Sequence, residues 1–186
     1  MRRRTLLAGA GLAVTAGLAG CAAAVDPDSD DQTIQATTPA AGACDPDPSL
    51  RPTPDSSRAK SYPTLPSSAT ADAAESFARA HERAYRYNAR LATHGSIQVE
   101  LEVPDWAGSE TGDGYLVGLE GRVQFDEPKT PDGDATQRPS GFLEYSVWYL
   151  VTERFALRGG ETDREFEQGR DVDLADAQPV ACEDDS

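Results

Sequence analysis

The chain has 186 residues and is strongly acidic, with 32 Asp and Glu against 17 Lys and Arg and a formal net charge of −15. Such a charge repels phosphate backbones, so nucleic acid is excluded as an expected partner. The length supports one modest core and is too small for a bilobed solute-binding architecture.

Leu6 to Gly20 is an apolar run of 15 residues, broken by Gly9, Gly11, Thr15 and Gly17. A membrane span needs roughly 20 apolar residues. The run is therefore too short and too glycine-rich to cross, and it reads as the apolar part of an export leader behind a positive start. Arg3-Arg4-Thr5-Leu6-Leu7 resembles the twin-arginine export signal, which implies export of a folded domain. Leu18-Ala19-Gly20-Cys21 resembles the lipobox of secreted lipoproteins. That resemblance implies cleavage before Cys21 and a diacylglyceryl group on its sulfur; two acyl chains hold a protein stably where one does not. Residues 1–20 are thus expected to be a lipoprotein signal peptide. The mature chain is expected on the cell membrane, lipid-anchored through Cys21 and facing the extracellular side. Loss of Arg2, Arg3 and Arg4 takes its formal charge to −18. Fifteen arginines accompany only two lysines, Lys60 and Lys129. Acid excess with so little lysine resembles proteins of halophilic archaea, whose carboxylates keep the surface hydrated.

Residues 21–66 hold eight of the thirteen prolines together with Asp, Ser, Thr and Ala. This composition buries too little apolar surface to offset ordering and predicts a flexible to semi-extended spacer. The expected globular domain spans 67–158, followed by an acidic C-terminal segment, 159–186, that is loose until Cys182. The domain opens with a helix from about Thr70 to Thr93, capped by Thr70, with Asp72 in its first turn and Gly95 beyond its end. Helical spacing puts Glu75, Arg79, Glu82, Arg83, Arg86 and Arg90 on one charged face, with Ala73, Phe77, Ala80, Ala84 and Leu91 opposite. Ser96 to Val103 and Tyr115 to Phe125 alternate as half-buried strands, with Gly118 and Gly121 expected to mark a bend or bulge in the second. Phe142 to Thr152 is apolar on both faces and reads as a central strand. Arg154 to Arg158 is a short last strand after a turn at Thr152-Glu153. Residues 105–114 and 127–141 read as loops.

These elements predict an α+β fold in which one long helix packs on a three- to four-stranded antiparallel meander. The order resembles cystatin-like and nuclear-transport-factor-like domains, in which the sheet curls around a helix. The Gln-x-Val-x-Gly wedge of a cystatin-type inhibitor is absent. The whole arrangement also resembles small twin-arginine lipoproteins of halophilic archaea. That likeness covers the signal, the Pro/Asp spacer and the helix stretch "YPTLPSSATADAAESFARAHERAYRYN".

With Cys21 lipidated, Cys44 and Cys182 remain. Outside the cell this pair is expected as a disulfide, with two free thiols as the rival. No zinc-type spacing occurs, and the acidic runs at 26–31, 132–134 and 171–176 lack the full calcium-loop pattern. No Gly-x-Ser-x-Gly and no phosphate-cradling glycine loop is present. No cofactor or metal is expected. The candidate chemistry lies at His81 and Asn88, seven residues apart within the apolar face. Either they hydrogen-bond backbone or tyrosine groups at the edge of a packed core, or they line a helix–sheet pocket opposite Tyr145, Tyr149 or Ser146. Trp148 reads as core; Trp106 is either a contact anchor or part of a small satellite core. Two functions follow. The first is a surface-anchored, non-enzymatic binding or scaffolding domain for an envelope protein, docking on a sheet face or on the loops. The alternative is a small extracellular enzyme or ligand binder that uses the pocket around His81.

Overall fold

The structure, a computed structural model, describes residues 34–36, 44–112, 114–126, 140–163 and 172–183. Arg3, Arg4, Cys21 and the acidic runs at 26–31 and 132–134 lie outside the described residues, as does most of the 127–141 loop.

The helix α1 spans Ala71–Leu91. Thr70 caps it from an extended conformation, its side chain accepting the Ala73 amide at 3.4 Å. At the other end the Thr93 and His94 amides both reach the Arg90 carbonyl, so the helix closes before Gly95. Its buried side is broader than the apolar stripe, because His81, Glu82, Arg86 and Asn88 are buried with Ala74, Phe77, Ala78, Ala84 and Leu91. The charged face therefore needs correction: Glu82 and Arg86 turn inward, and the site below gives the reason.

Two short strands pair in parallel, β1 (Ile34–Ala36) with β7 (Val172–Leu174). The main sheet is antiparallel and has six strands: β2 (Ser96–Glu102), β3 (Gly108–Glu110), β4 (Tyr115–Asp126), β5 (Ser140–Val151), β6 (Phe155–Thr162) and β8 (Gln178–Cys182). Its order is β2-β4-β5-β6-β8, with β3 pairing the Tyr115 end of β4 on the edge that β2 also occupies. The α+β class and the meander order stand, and β5 is central, paired on both sides. The count of three to four strands does not: β3 forms inside the expected 105–114 loop and β8 inside the expected loose C-terminal segment. Both are short runs whose backbone pairing is supplied by a neighbour, a contribution that side-chain periodicity does not register.

The sheet's helix-facing side carries Leu101, Val117, Leu119, Val123, Val147, Val151 and Ala156 against Ala74, Phe77 and Ala78 of α1. On the other side, Leu116, Trp148, Leu150, Phe155 and Leu157 form a second cluster with Val172 and Leu174 of β7. Trp148 is core, and Trp106 packs partly buried against this satellite cluster. Gly121 is not a bend. It faces Tyr145 across the β4–β5 ladder, and a Cβ there would run into the tyrosine ring. The bulge lies instead in β6, where Ser146 pairs with Thr162 but Trp148 pairs with Gly159. Gly160 sits there at φ 61, the left-handed region open to glycine.

Tertiary contacts lie well before the composition-based boundary at 66, first in the β1–β7 pairing and then from Cys44 onward. Cys44 and Cys182 form a disulfide with Cα atoms 5.8 Å apart, within the usual range. The Asp47 amide donates to the Pro179 carbonyl at 2.8 Å, which places the chain along the outer edge of β8 and covers it. Leu50 and Leu65 then pack against the helix-side core. A proline-rich segment needs few apolar anchors when its ends are fastened covalently and by backbone pairing, and average composition hides those anchors.

Candidate functional site

The helix–sheet interior holds a charged nucleus. The Glu82 carboxylate is fully buried and accepts four hydrogen bonds, one for each of its lone-pair positions. Oε1 receives Arg86 Nε at 2.7 Å and Arg158 Nη2 at 3.0 Å; Oε2 receives Arg158 Nε at 2.8 Å and the Tyr149 hydroxyl at 2.7 Å. Arg86 comes from the next turn of α1, Tyr149 from β5 and Arg158 from its cross-strand partner position on β6. Arg158 Nη2 also donates to Glu161 Oε2 at 2.8 Å. Arg86 Nη2 lies 2.8 Å from Glu161 Oε1, an ionic contact whose N–H is not aligned as a hydrogen bond. The β6 bulge creates this meeting. Strict alternation would send Glu161 to the opposite face from Arg158; the extra residue at Gly160 returns it to the same side.

Aromatic rings enclose the guanidiniums. Arg86 lies 3.8 Å from the Tyr145 ring centroid, and Arg158 lies 4.7 Å from that of Tyr85. Burial alone would raise the Glu82 pKa, but the Arg158 charge, the Arg158 hydrogen bonds, Arg86 and Tyr149 outweigh it and hold the carboxyl at about 2. Burial likewise works against the arginine cations, and the Glu82 charge overrides it, keeping both protonated. Desolvation and the adjacent carboxylate push the Tyr149 hydroxyl well above its ordinary range.

His81 joins through Tyr149, its Nδ1 lying 2.9 Å from the hydroxyl oxygen. That hydroxyl gives its one proton to Glu82, so His81 Nδ1 carries the hydrogen and Nε2 is the bare nitrogen. Nε2 is buried with no hydrogen-bond partner among the described residues. The ring packs against Tyr62 and Phe77, with centroids 5.2 and 6.1 Å away. Desolvation lowers the His81 pKa to about 3, against the opposing pull of Glu82. It is neutral at any ordinary pH and poorly suited to proton transfer near neutrality.

Asn88 does something different. Its Oδ1 accepts the Lys60 amide and its Nδ2 donates to the Lys60 carbonyl, both at 2.8 Å, clipping the 44–66 segment to the helix as a backbone partner would. Tyr62, two residues on, is the ring over His81. Of the four side chains expected at a pocket, Tyr145, Tyr149 and His81 gather at the charged nucleus, and Asn88 stands apart from it as a clip. All four are buried. Surface grooves of about 290 and 270 Å³ lie instead on the opposite face of the sheet, the first lined by Glu100, Glu102, Glu120, Arg122, Glu144 and Ser146, the second by Gln98, Gln124 and Phe142. A third, of about 350 Å³, lies between the 110–114 turn and the Thr152–Phe155 turn. Among the described residues no group of His, Cys, Asp or Glu is placed to hold a metal ion.

Glu82, Arg86, Arg158 and Glu161 were not singled out as site residues by sequence. One signal was available: Arg158 interrupts the apolar "FALRGGE" stretch immediately before a glycine pair. No family model, curated protein or solved structure matches the chain.

Proposed function

We propose that the chain is a surface-anchored extracellular lipoprotein whose α+β domain is a non-enzymatic binding or scaffolding module. The observation that carries this reading is the complete burial of His81 between helix and sheet. His81, the candidate acid or base, is sealed under Tyr62 and bonded to Tyr149, with its pKa at about 3. A catalytic histidine needs substrate access and a proton affinity near the working pH; this one has neither. The leader and the Leu18-Ala19-Gly20-Cys21 stretch supply the anchor. Among the described residues no helix is long and apolar enough to cross a membrane.

The contact surface under this reading is the half of the sheet's outer face that the satellite cluster leaves open. There Phe142 is 65% exposed, beside Arg122, Glu100 and Glu144. A large exposed aromatic among charged groups is a usual anchor of a protein contact. The test is the intact mass of the native protein, extracted from membranes without reducing agent. A chain beginning at Cys21, heavier by a diacylglyceryl group and lighter by two hydrogens, is expected. A full-length, unlipidated chain in the soluble fraction overturns the anchor and the function built on it.

A further inference from the structure

Among the described residues, the charge at the buried nucleus balances through Glu161. Arg86 and Arg158, with side chains 6% and 5% exposed, face one fully buried carboxylate in Glu82. The second negative charge arrives on Glu161, whose side chain is 40% exposed. Of these four groups it alone has substantial access to water. It reaches inward from the Gly159-Gly160 bulge and spans the two guanidiniums, one oxygen 2.8 Å from each Nη2. Hydrogen-bonding capacity is left over at this point. Among the described residues the Arg86 Nη2 contact is not aligned, and the buried Tyr145 hydroxyl, on the ring beneath Arg86, makes no aligned hydrogen bond although Arg86 and Glu82 lie beside it.

We infer that Arg86 and Arg158 form a carboxylate-binding site that Glu161 occupies in cis, and that a small monocarboxylate from outside takes its place when Glu161 turns out to solvent. The chemical class follows from charge and shape. Two guanidiniums less Glu82 leave one positive charge, which a monoanion neutralises and a divalent phosphate or sulfate overshoots. Two nitrogens spanned by one planar group fit a carboxylate's paired oxygens. The Tyr145 and Tyr85 rings flanking the guanidiniums suit a short apolar tail. A left-handed glycine preceding Glu161 provides a backbone pivot at the base of the displaced residue. This goes beyond the proposed function and requires neither the lipid anchor nor the outer sheet face.

The experiment compares the wild-type domain with Glu161→Ala, titrating sodium acetate against sodium chloride and sodium sulfate at matched ionic strength. Thermal unfolding and the line width of labelled acetate are read together. In Glu161→Ala, acetate is expected to bind and to raise the melting temperature beyond chloride and sulfate. The wild type should bind acetate at least tenfold more weakly, through competition with its own side chain. Glu183→Ala, an exposed glutamate outside the nucleus, should respond as the wild type does. If Glu161→Ala does not fold, Glu161→Gln, which keeps the side chain's shape without its charge, replaces it. Acetate no better than chloride in the Glu161 variant overturns the site. Acetate binding in the variant with none in the wild type, even near molar concentration, overturns exchange with an outside ligand.

Discussion

Acid should unfold this domain through His81 before its carboxylates contribute. The perturbation is a drop in pH from 7.5 to 5.0 at fixed, high salt. His81 has a folded pKa of about 3 against an ordinary value of 6.5, because burial disfavours its charged form. A histidine depressed in this way contributes stability that is complete above pH 6.5 and is lost as pH falls, since only the unfolded chain takes up the proton. Over that interval the loss amounts to about 2 kcal/mol. Glu82, depressed to about 2 from 4.5, has the same sign. Its contribution is lost mainly below pH 4.5, so it barely enters at pH 5.0. The ring is fully buried, so solvent screening does not reduce the effect. Urea unfolding followed by tyrosine and tryptophan fluorescence gives the midpoint at each pH. Repeating it with His81→Gln isolates the term, because His94 is present in both chains and cancels. The wild type should lose about 2 kcal/mol more than the variant between the two pH values. Equal losses in both chains would refute the sealed, neutral histidine and restore an accessible one.

Three further outcomes are expected. Arg158→Met leaves the Glu82 carboxylate buried with one arginine, and breaking a buried ion cluster in this way costs about 3–5 kcal/mol, measured as a shift in the urea midpoint. Mutating both Cys44 and Cys182 to Ser opens a loop with a sequence separation of 138; the loss in unfolding free energy should be about 2–5 kcal/mol, and limited proteolysis should then cut within residues 44–66. With a formal net charge of −15, the melting temperature should rise from low to molar salt as self-repulsion is screened, and a flat profile would count against that reasoning.

Much of the fold was legible because its longer elements follow their own periodicity. Ile97, Val99 and Leu101 alternate with exposed residues and form β2 as expected. Thr70 and Asp72 mark the start of α1. The missed elements are those whose stability comes from elsewhere in the chain. Gly108–Glu110 has no apolar alternation and exists as a strand because β4 offers an unpaired edge. Gln178–Cys182 is held by β6 on one side and by Asp47 and the disulfide on the other. The 44–66 segment looked like a spacer for the same reason, since Asn88 supplies the hydrogen bonds that no local pattern could announce.

The charged nucleus was hidden by a stricter limit. Glu82 and Arg86 are spaced four apart, the pattern of a solvated helix pair, and such residues are almost never fully buried without further partners. The partner that reverses the expectation is Arg158, 76 residues away, beyond the reach of any helical or strand period. Glu161 was concealed twice over. A period of two assigns it to the face opposite Arg158, and only the bulge at Gly159-Gly160 brings it back. One inserted residue thus decides whether the nucleus carries a net positive charge or none. That dependence makes the glycine pair a sharper marker of the charged nucleus than His81 on the helix. A Cβ at Gly160 would favour leaving the left-handed region and regularising the strand, which would carry Glu161 away from both arginines while leaving His81 in place.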